Sequence, residues 1–537
     1  MNAHRSGMIF LSSALVLMVH LSYAQVNRYA VYFKDKNGTP FSINQPTQFL
    51  STASINRRVA RKASVTETDL PVNPSYVQSV KSLSSKLLFK SRWFNCVIIE
   101  SDPTQLTAIS QLPSVLKTEY LGPGPVPTVA EQQEQWSEKR TMTAEQVQQI
   151  QTQLSMLGLD DMHADGLKGE GITVAVTDSG FPGINVSDAF VLSLGTRIKD
   201  SYNFAFGRKD VFGYDEHGTD VLTVIGGEGN NFSGSAPKAE FMLYVTEFVP
   251  SEYRIEEYNW LLAAERADSA GADVINVSLG YTTFDDPTMD YTYADMNGNT
   301  TVISRAAKIA STKGMLVVAS AGNEGGSFWQ FISAPADAAD VLAAGAVDAS
   351  GLRAGFSSRG PTADGRIKPD LMAQGVGTVI QNQNGNLSTA NGTSFSAPIL
   401  TGFAAGLMQA FPEATIPEIL EKLRSAGSMF TQPNNLIGYG IPDYNRLKPG
   451  EVTGIEEKNL VRVFPNPVTG STLYIRFPSA ETQDLHLEIT ELQGRKIPIV
   501  FQSVGGSEHI FSADVHHLTV GMYFLKIGEQ AVKFIVK

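Results

Sequence analysis

Through the middle of the chain, short apolar runs alternate with longer stretches of helical spacing. Residues 172–176, 241–245, 273–277, 315–319 and 341–347 are almost continuously apolar and rich in β-branched side chains, as strands buried on both faces are. Between and after them, residues 255–270, 301–312 and 416–424 carry the spacing of amphipathic helices. Strands alternating with helices predict a parallel sheet covered on both faces, so residues 154–447 are expected to form one doubly wound α/β domain. Ligands in such sheets bind at the carboxyl ends of the strands.

The pattern changes on either side. Residues 29–33, 96–100 and 115–121 read as strands and 103–112 as a helix, which predicts a small α+β domain over 25–121. Inside it, the basic run from Asn56 to Lys62 is expected to be a solvated helix face. Gly122-Pro123-Gly124-Pro125-Val126-Pro127 breaks the pattern, and a Gln- and Glu-rich stretch completes a linker over 122–153. A second linker, 448–459, precedes short alternating runs at 473–477, 485–489, 521–527 and 531–536. Turn signals about every 8–12 residues make residues 460–537 an antiparallel β-sandwich, a texture that accessory carbohydrate- or protein-binding domains share.

At the N-terminus, His4 and Arg5 precede an apolar core from Met8 to Leu21, closed by Ser22-Tyr23-Ala24. This predicts a signal peptide over 1–24, with Gln25 as the new N-terminus. No other stretch is long and apolar enough to span a bilayer. The chain has 537 residues, enough for several cores. Its net charge of −12 disfavours nucleic acid or an anionic membrane as partner. With Cys96 as the single cysteine, neither an intrachain disulfide nor a Cys-based zinc site can form.

The candidate chemistry centres on Asn391-Gly392-Thr393-Ser394-Phe395-Ser396-Ala397-Pro398, which runs into a stretch apolar on nearly every face. Ser394 is therefore expected at the mouth of a buried helix, with Gly392 allowing a close backbone approach and Pro398 in the first turn. Free N–H groups and the positive dipole end at such a mouth suit an oxyanion. Taken alone, this stretch reads as Thr393 or Ser394 serving as an N-cap. A nucleophilic serine needs a base, usually histidine. Of eight histidines, two fall in the signal peptide and four in the sandwich, leaving His163 and His217. His163 lies in a polar stretch and reads as a surface residue, whereas His217 opens a small apolar helix in Asp215-Glu216-His217-Gly218-Thr219. Asp178 ends a strand before Ser179-Gly180, where it could orient a histidine, although a turn-forming Asp-Ser-Gly would look the same. Asn323 follows another buried strand and offers a neutral donor for an oxyanion.

Thr177-Asp178-Ser179-Gly180, His217-Gly218-Thr219, Ser278-Leu279-Gly280, Ala321-Gly322-Asn323 and Gly392-Thr393-Ser394-Phe395-Ser396-Ala397-Pro398 resemble the motifs of the subtilisin-like serine peptidases, the subtilases of family S8. The resemblance covers 154–447 and implies a subtilisin-like fold and a serine-type endopeptidase. It implies Asp178, His217 and Ser394 as the triad, with Asn323 completing the oxyanion hole and Ser396 packing. It also implies that Ser278, Leu279 and Gly280 pair with the substrate backbone, while Ala321 and Gly322 wall the S1 pocket. Phe328, Trp329 and Phe331 follow that loop and are expected near the pocket floor. Residues 25–121 resemble a subtilase propeptide, which implies a temporary inhibitor. From Val463-Phe464-Pro465-Asn466-Pro467 onward, with Leu492-Gln493-Gly494-Arg495, the sandwich resembles the C-terminal sorting domain of type IX secretion in Bacteroidetes. That implies passage through the periplasm to the outer surface or the medium.

No cofactor is required by this chemistry. Asp285, Asp286, Asp290 and Asp295, with Asn297 and Asn299, form an oxygen-rich loop that could hold Ca²⁺ as a structural ion or remain a solvated acidic loop. Two other functions stand beside a peptidase acting on proteins or peptides. One is a catalytically silent cell-surface binding protein on the same scaffold. The other is an esterase or lipase, whose Gly-x-Ser-x-Gly elbow is missing around Ser394.

Overall fold

The computed structural model describes residues 26–124 and 150–448, apart from 188–189, 191–192 and 230–231. Toward the C-terminus it describes 462–464, 468, 470–476, 487–491, 495–503, 510–527 and 530–537. The expected signal peptide and most of both linkers lie outside the described residues. The described residues through Tyr444 form one compact unit, and those from Asn445 onward form a second.

The first unit opens with a four-stranded antiparallel sheet of β1 (Asn27–Phe33), β2 (Lys86–Ser91), β3 (Cys96–Ser101) and β4 (Val115–Pro123), in the order β2-β3-β1-β4. Three helices accompany it: α1 (Thr52–Ala60), α2 (Pro74–Lys81) and α3 (Pro103–Ser110). Successive strand residues point to opposite faces, and here both faces are buried. Tyr29, Val31, Phe33, Val97 and Ile99 pack with Val77 and Val80 of α2 and Ile109 of α3. The alternate residues Ala30, Tyr32, Cys96 and Ile98 share a core with the large domain that follows. This is why β1 reads as an unbroken apolar run rather than an alternating one.

After two short helices, α4 (Ile150–Ser155) and α5 (Leu159–Ala164), the large domain follows. Its strands are β5 (Thr173–Asp178), β6 (Ile198–Asn203), β7 (Glu240–Val245), β8 (Val274–Val277), β9 (Leu316–Ser320), β10 (Val341–Val347) and β11 (Leu371–Gln374). They form a seven-stranded sheet in the order β11-β10-β9-β8-β5-β7-β6, parallel at every pairing. Helices α6 (His217–Gly226), α7 (Ile255–Ala270) and α8 (Val302–Thr312) precede a hairpin of β12 (Thr378–Gln381) and β13 (Leu387–Ala390). Helices α9 (Thr393–Ala410) and α10 (Ile416–Ser425) close the domain. Ala175, Ile275, Val317, Ala319 and Ala343 join the core under α7 and α8, while α9 lies across β8 to β11 beside α6. The expected doubly wound α/β fold is observed. The pattern reading passed over β6, a half-buried polar edge strand, and β11, four residues between Pro369 and Gly375.

The basic run corrects another expectation. Arg57, Arg58 and Arg61 are buried, because the large domain supplies acceptors for them. Asp268 of α7, with no exposed surface, accepts from Arg57 Nη2 at 2.5 Å and from Arg58 Nη2 at 2.8 Å, and also bonds Arg92. Arg61 Nη1 donates to the carbonyls of Phe411 and Ala414 at 2.8 Å, just beyond the end of α9. Removing one member of a buried ion cluster leaves the others uncompensated, at a cost of about 3–5 kcal/mol. Asp268→Ala is therefore expected to loosen the small domain by that amount, read as faster hydrogen exchange of the β1 and β3 amides.

The second unit holds two antiparallel sheets. One orders β14 (Arg462–Phe464), β15 (Thr472–Arg476), β18 (Phe501–Ser503) and β19 (Ile510–Asp514) as β14-β15-β19-β18. The other orders β16 (Leu487–Glu491), β17 (Lys496–Ile497), β20 (Gly521–Ile527) and β21 (Gln530–Val536) as β17-β16-β20-β21. Leu473, Ile475 and Ala513 from one sheet meet Ile489, Leu525 and Phe534 from the other in a single core, the expected sandwich.

Candidate active site

From β5 the chain runs to the sheet edge as β6, returns as β7 beside β5, and then crosses to β8 on the other side of β5. The connections thus diverge at the carboxyl ends of β5 and β8, where a cleft opens in a doubly wound sheet. Asp178 is the last residue of β5, Ser278 follows β8, and Asn323 lies just past β9.

His217 begins α6, brought against the end of β5 by Gly218. A Cβ on Gly218 would stand 2.3 Å from the Gly180 carbonyl oxygen and 2.9 Å from Asp178 Cβ, so only glycine permits the approach. His217 Nδ1 lies 2.8 Å from Asp178 Oδ1. The same carboxylate oxygen accepts from Ser179 N at 2.8 Å, and the Ser179 hydroxyl sits 3.1 Å from it. Asp215 holds the arrangement from the other side, accepting from His217 N at 2.9 Å and from Ser179 Oγ at 3.1 Å. The sequence motif around His217 contains Asp215 without marking its role; its one local signal is a carboxylate two places ahead of a helix-opening histidine. The imidazole is a third exposed, whereas Asp178 is buried. Burial opposes protonation of His217, but the Asp178 charge and hydrogen bond, with Asp215 and Asp220, outweigh it and push the pKa up to about 9. Water reaching the exposed edge screens part of that attraction.

Ser394 is the second residue of α9, and neither it nor Thr393 is the N-cap. That position is Gly392, at φ 144°, and its left-handed backbone, rather than a close approach, explains the glycine. The capping acceptor comes from Asn323, whose Oδ1 accepts from Thr393 N at 2.9 Å and from Thr393 Oγ1 at 3.0 Å. A backbone N–H can only donate, so the atom facing it must be the amide oxygen, and Nδ2 is turned the other way. Thr393 Oγ1 also accepts from Gly322 N at 3.2 Å. Phe395 meets the His217 ring edge-on at 5.6 Å between centroids, which sets the first turn of α9 beside the imidazole. Pro398 stands inside the helix, six residues in, not in its first turn. Ser396 is fully buried, its hydroxyl donating to the Ala373 carbonyl at 3.1 Å.

Ser278-Leu279-Gly280 and Ala321-Gly322 continue from the adjacent strands β8 and β9. Ser333 lies between them: its Oγ sits 2.2 Å from where a Cβ on Gly280 would be and 3.0 Å from one on Gly322. The aromatic residues expected near this pocket separate. Phe328 projects wholly into solvent, while Phe331 lies against Tyr293, with ring centroids 4.1 Å apart and planes tilted by 34°. His163 is half-buried rather than a surface residue, and its Nε2 lies 3.1 Å from the Ser235 carbonyl oxygen.

In the acidic loop, oxygens are committed to turns. Asp286 accepts from Thr288 N at 3.0 Å, Asp290 from Phe284 N at 2.7 Å, Asp295 from Thr292 N at 2.8 Å and Asn297 from Asn299 N at 2.9 Å. Asp285 accepts from Glu252 N at 3.2 Å. Among the described residues, no three His, Cys, Asp or Glu side chains converge on a point that could hold a metal.

The subtilase family model matches residues 169–440, a Bacteroidota peptidase S8 propeptide domain matches 28–163, and a secretion system C-terminal sorting domain matches 462–537. Subtilisin E of Bacillus subtilis (strain 168) is 30% identical over 294 residues, 53% of this chain and 68% of its own. Subtilisin of Bacillus pumilus is 30% identical over 298 residues, 53% of this chain and 95% of its own. Among solved structures, the MycP3 protease from the type VII (ESX-3) secretion system aligns with a TM-score of 0.46 at 23% identity, covering 57% of this chain and 89% of its own. The sorting domain indicates a secreted or cell-surface protein, and among the described residues no helix is long and apolar enough to cross a membrane. A family model matching half of the chain and relatives at 30% identity over more than two-thirds of their own length establish it as a member of the subtilase family, with a propeptide and a type IX sorting domain.

Proposed function

We propose that the protein is a secreted serine endopeptidase. Ser394 Oγ attacks the scissile carbonyl while His217 Nε2 takes its proton, and Asp178 holds the imidazole in the required tautomer. Asn323 Nδ2 and the Ser394 N–H receive the oxyanion, His217 returns the proton to the leaving amine, and water clears the acyl-enzyme. Ser278, Leu279 and Gly280 offer backbone to an extended peptide, with Ala321 and Gly322 walling the pocket for the side chain before the cut. The observation that carries this reading is the 2.8 Å contact between His217 Nδ1 and Asp178 Oδ1, because it leaves Nε2 as the basic nitrogen beside the first turn of α9. The small N-terminal domain, locked to α7 through Asp268, fits the part of an inhibitor that must leave before full activity.

Labelling of the secreted protein with a fluorophosphonate, followed by peptide mapping, tests the reading. A covalent adduct on Ser394 with parallel loss of casein hydrolysis is expected. Folded protein freed of its N-terminal domain that takes up no reagent would instead favour a silent binding protein. The pH dependence is a further prediction. Only neutral imidazole can accept the serine proton, so activity falls as pH drops through the His217 pKa, which its acidic neighbours raise to about 9. Asp215→Asn removes one of those charges and should move the rising limb of the kcat/KM profile to lower pH.

A further inference from the structure

A proline inside a helix removes the N–H that would bond the carbonyl four residues earlier. In α9 that proline is Pro398, and the carbonyl it abandons is that of Ser394 itself. The missing donor is replaced from the neighbouring strand: Ser278 Oγ donates to the Ser394 carbonyl oxygen at 2.8 Å. Ser278 is in turn held by Asn276, whose Nδ2 donates to Ser278 Oγ at 3.0 Å. Thr401, two turns along α9, donates through Oγ1 to Asn276 Oδ1 at 2.9 Å. The Asn276 carbonyl accepts from Thr177 Oγ1 at 3.1 Å, and Thr177 Oγ1 accepts from Trp260 Nε1 at 3.1 Å. Thr177, Trp260, Asn276 and Thr401 have no exposed surface, and Ser278 is buried with them.

We infer that Ser278 is a positioning residue for the nucleophile, acting through its side chain and apart from any pairing of its backbone with substrate. The inference rests on the peptidase reading above. The Ser394 carbonyl belongs to the peptide unit that leads into Phe395, so anchoring it sets the Ser394 backbone, and with it the directions of Oγ and of the N–H. The donors run one way along the chain, from Thr401 through Asn276 and Ser278 to Ser394, so each bond polarises the next. The same network touches β5 at Thr177, next to Asp178, β8 at Asn276, and α9 at both Ser394 and Thr401. It therefore ties together the three elements that carry the acid, the substrate edge and the nucleophile. Pro398 is what makes the arrangement necessary: with an ordinary residue there, the helix would fix the carbonyl by itself.

The test is a double-mutant cycle on the protein secreted from the full chain and freed of its N-terminal domain, read as the rate constant for phosphonylation of Ser394 by a fluorophosphonate and as kcat and KM on a peptide. Ser278→Ala is expected to slow phosphonylation and lower kcat by about ten- to a hundredfold, with KM changed less than about threefold. In Pro398→Ala the restored backbone N–H can reach the Ser394 carbonyl, so Ser278→Ala in that background should cost less than about threefold. An equal loss in both backgrounds would mean that Ser278 acts through the substrate strand, and would overturn the inference. Thr401→Val removes a donor on α9, at the far end of the network from Ser278, and should slow phosphonylation by about three- to tenfold. It keeps the test decisive if Ser278→Ala does not fold, and an unchanged rate would count against the network. Wild-type protein freed of its N-terminal domain that takes up no fluorophosphonate would overturn the peptidase reading, whereas phosphonylation unaffected by Ser278→Ala would overturn the inference alone.

Discussion

Replacing Ser394 by alanine is expected to lower kcat for peptide hydrolysis by about 10⁶-fold while leaving the fold intact. That magnitude is the one measured when the nucleophile of a subtilisin triad is removed, not one derived from the distances here. The geometry contributes the separation of activity from stability. Ser394 is half-buried, does not cap α9, and occupies a helical position where alanine is a better helix former than serine. The unfolding midpoint should therefore stay level or rise slightly, within about 0.5 kcal/mol. A loss of activity accompanied by an equal loss of folded protein would assign Ser394 a structural part. Undiminished cleavage would remove it from the chemistry.

The second large effect is expected at Asn323, where two functions of one side chain can be separated. Its oxygen serves the structure, receiving Thr393 N and Oγ1 at the start of α9, and its Nδ2 is the donor proposed above for the oxyanion. Asn323→Asp keeps the acceptor and loses the donor. It should lower kcat by about 10²–10³-fold with little change in KM and a nearly unchanged melting temperature. Asn323→Ala loses both, so a similar loss of kcat should come with about 1–3 kcal/mol of destabilisation from the unsatisfied Thr393 N–H. Equal stability of the two variants would show that the capping bond contributes little. Equal activity of Asn323→Asp and wild type would exclude Nδ2 from the oxyanion hole.

The small N-terminal domain shows how sequence separation limits what can be read from the chain. Its apolar runs predict the strands, and β1 and β3 form where expected because a short continuous apolar run is a signal contained within a few residues. The fate of its basic run could not be read in the same way. Arg57 and Asp268 are 211 residues apart, and nothing local distinguishes a guanidinium facing water from one facing a buried carboxylate. The error lay in the environment assigned to the helix, not in the helix.

By itself, the sequence determined the class of fold, through the alternation of buried strands and helices, and the identities of the candidate catalytic residues. Asp178, His217, Asn323 and Ser394 were legible because each sits at a strand end or helix mouth whose local pattern survives in the chain, and because one histidine in the large domain had a helix-opening context. Only the tertiary structure decided what holds them. Asp215 on the Ser179 hydroxyl, the Asn323 oxygen on Thr393, and Ser278 on the carbonyl that Pro398 leaves free all join segments distant in the chain. Pro398 marks the division most clearly: the sequence puts it near the start of a helix, where a missing N–H costs nothing. One turn deeper, where the structure has it, the same missing N–H leaves a carbonyl that another strand must satisfy.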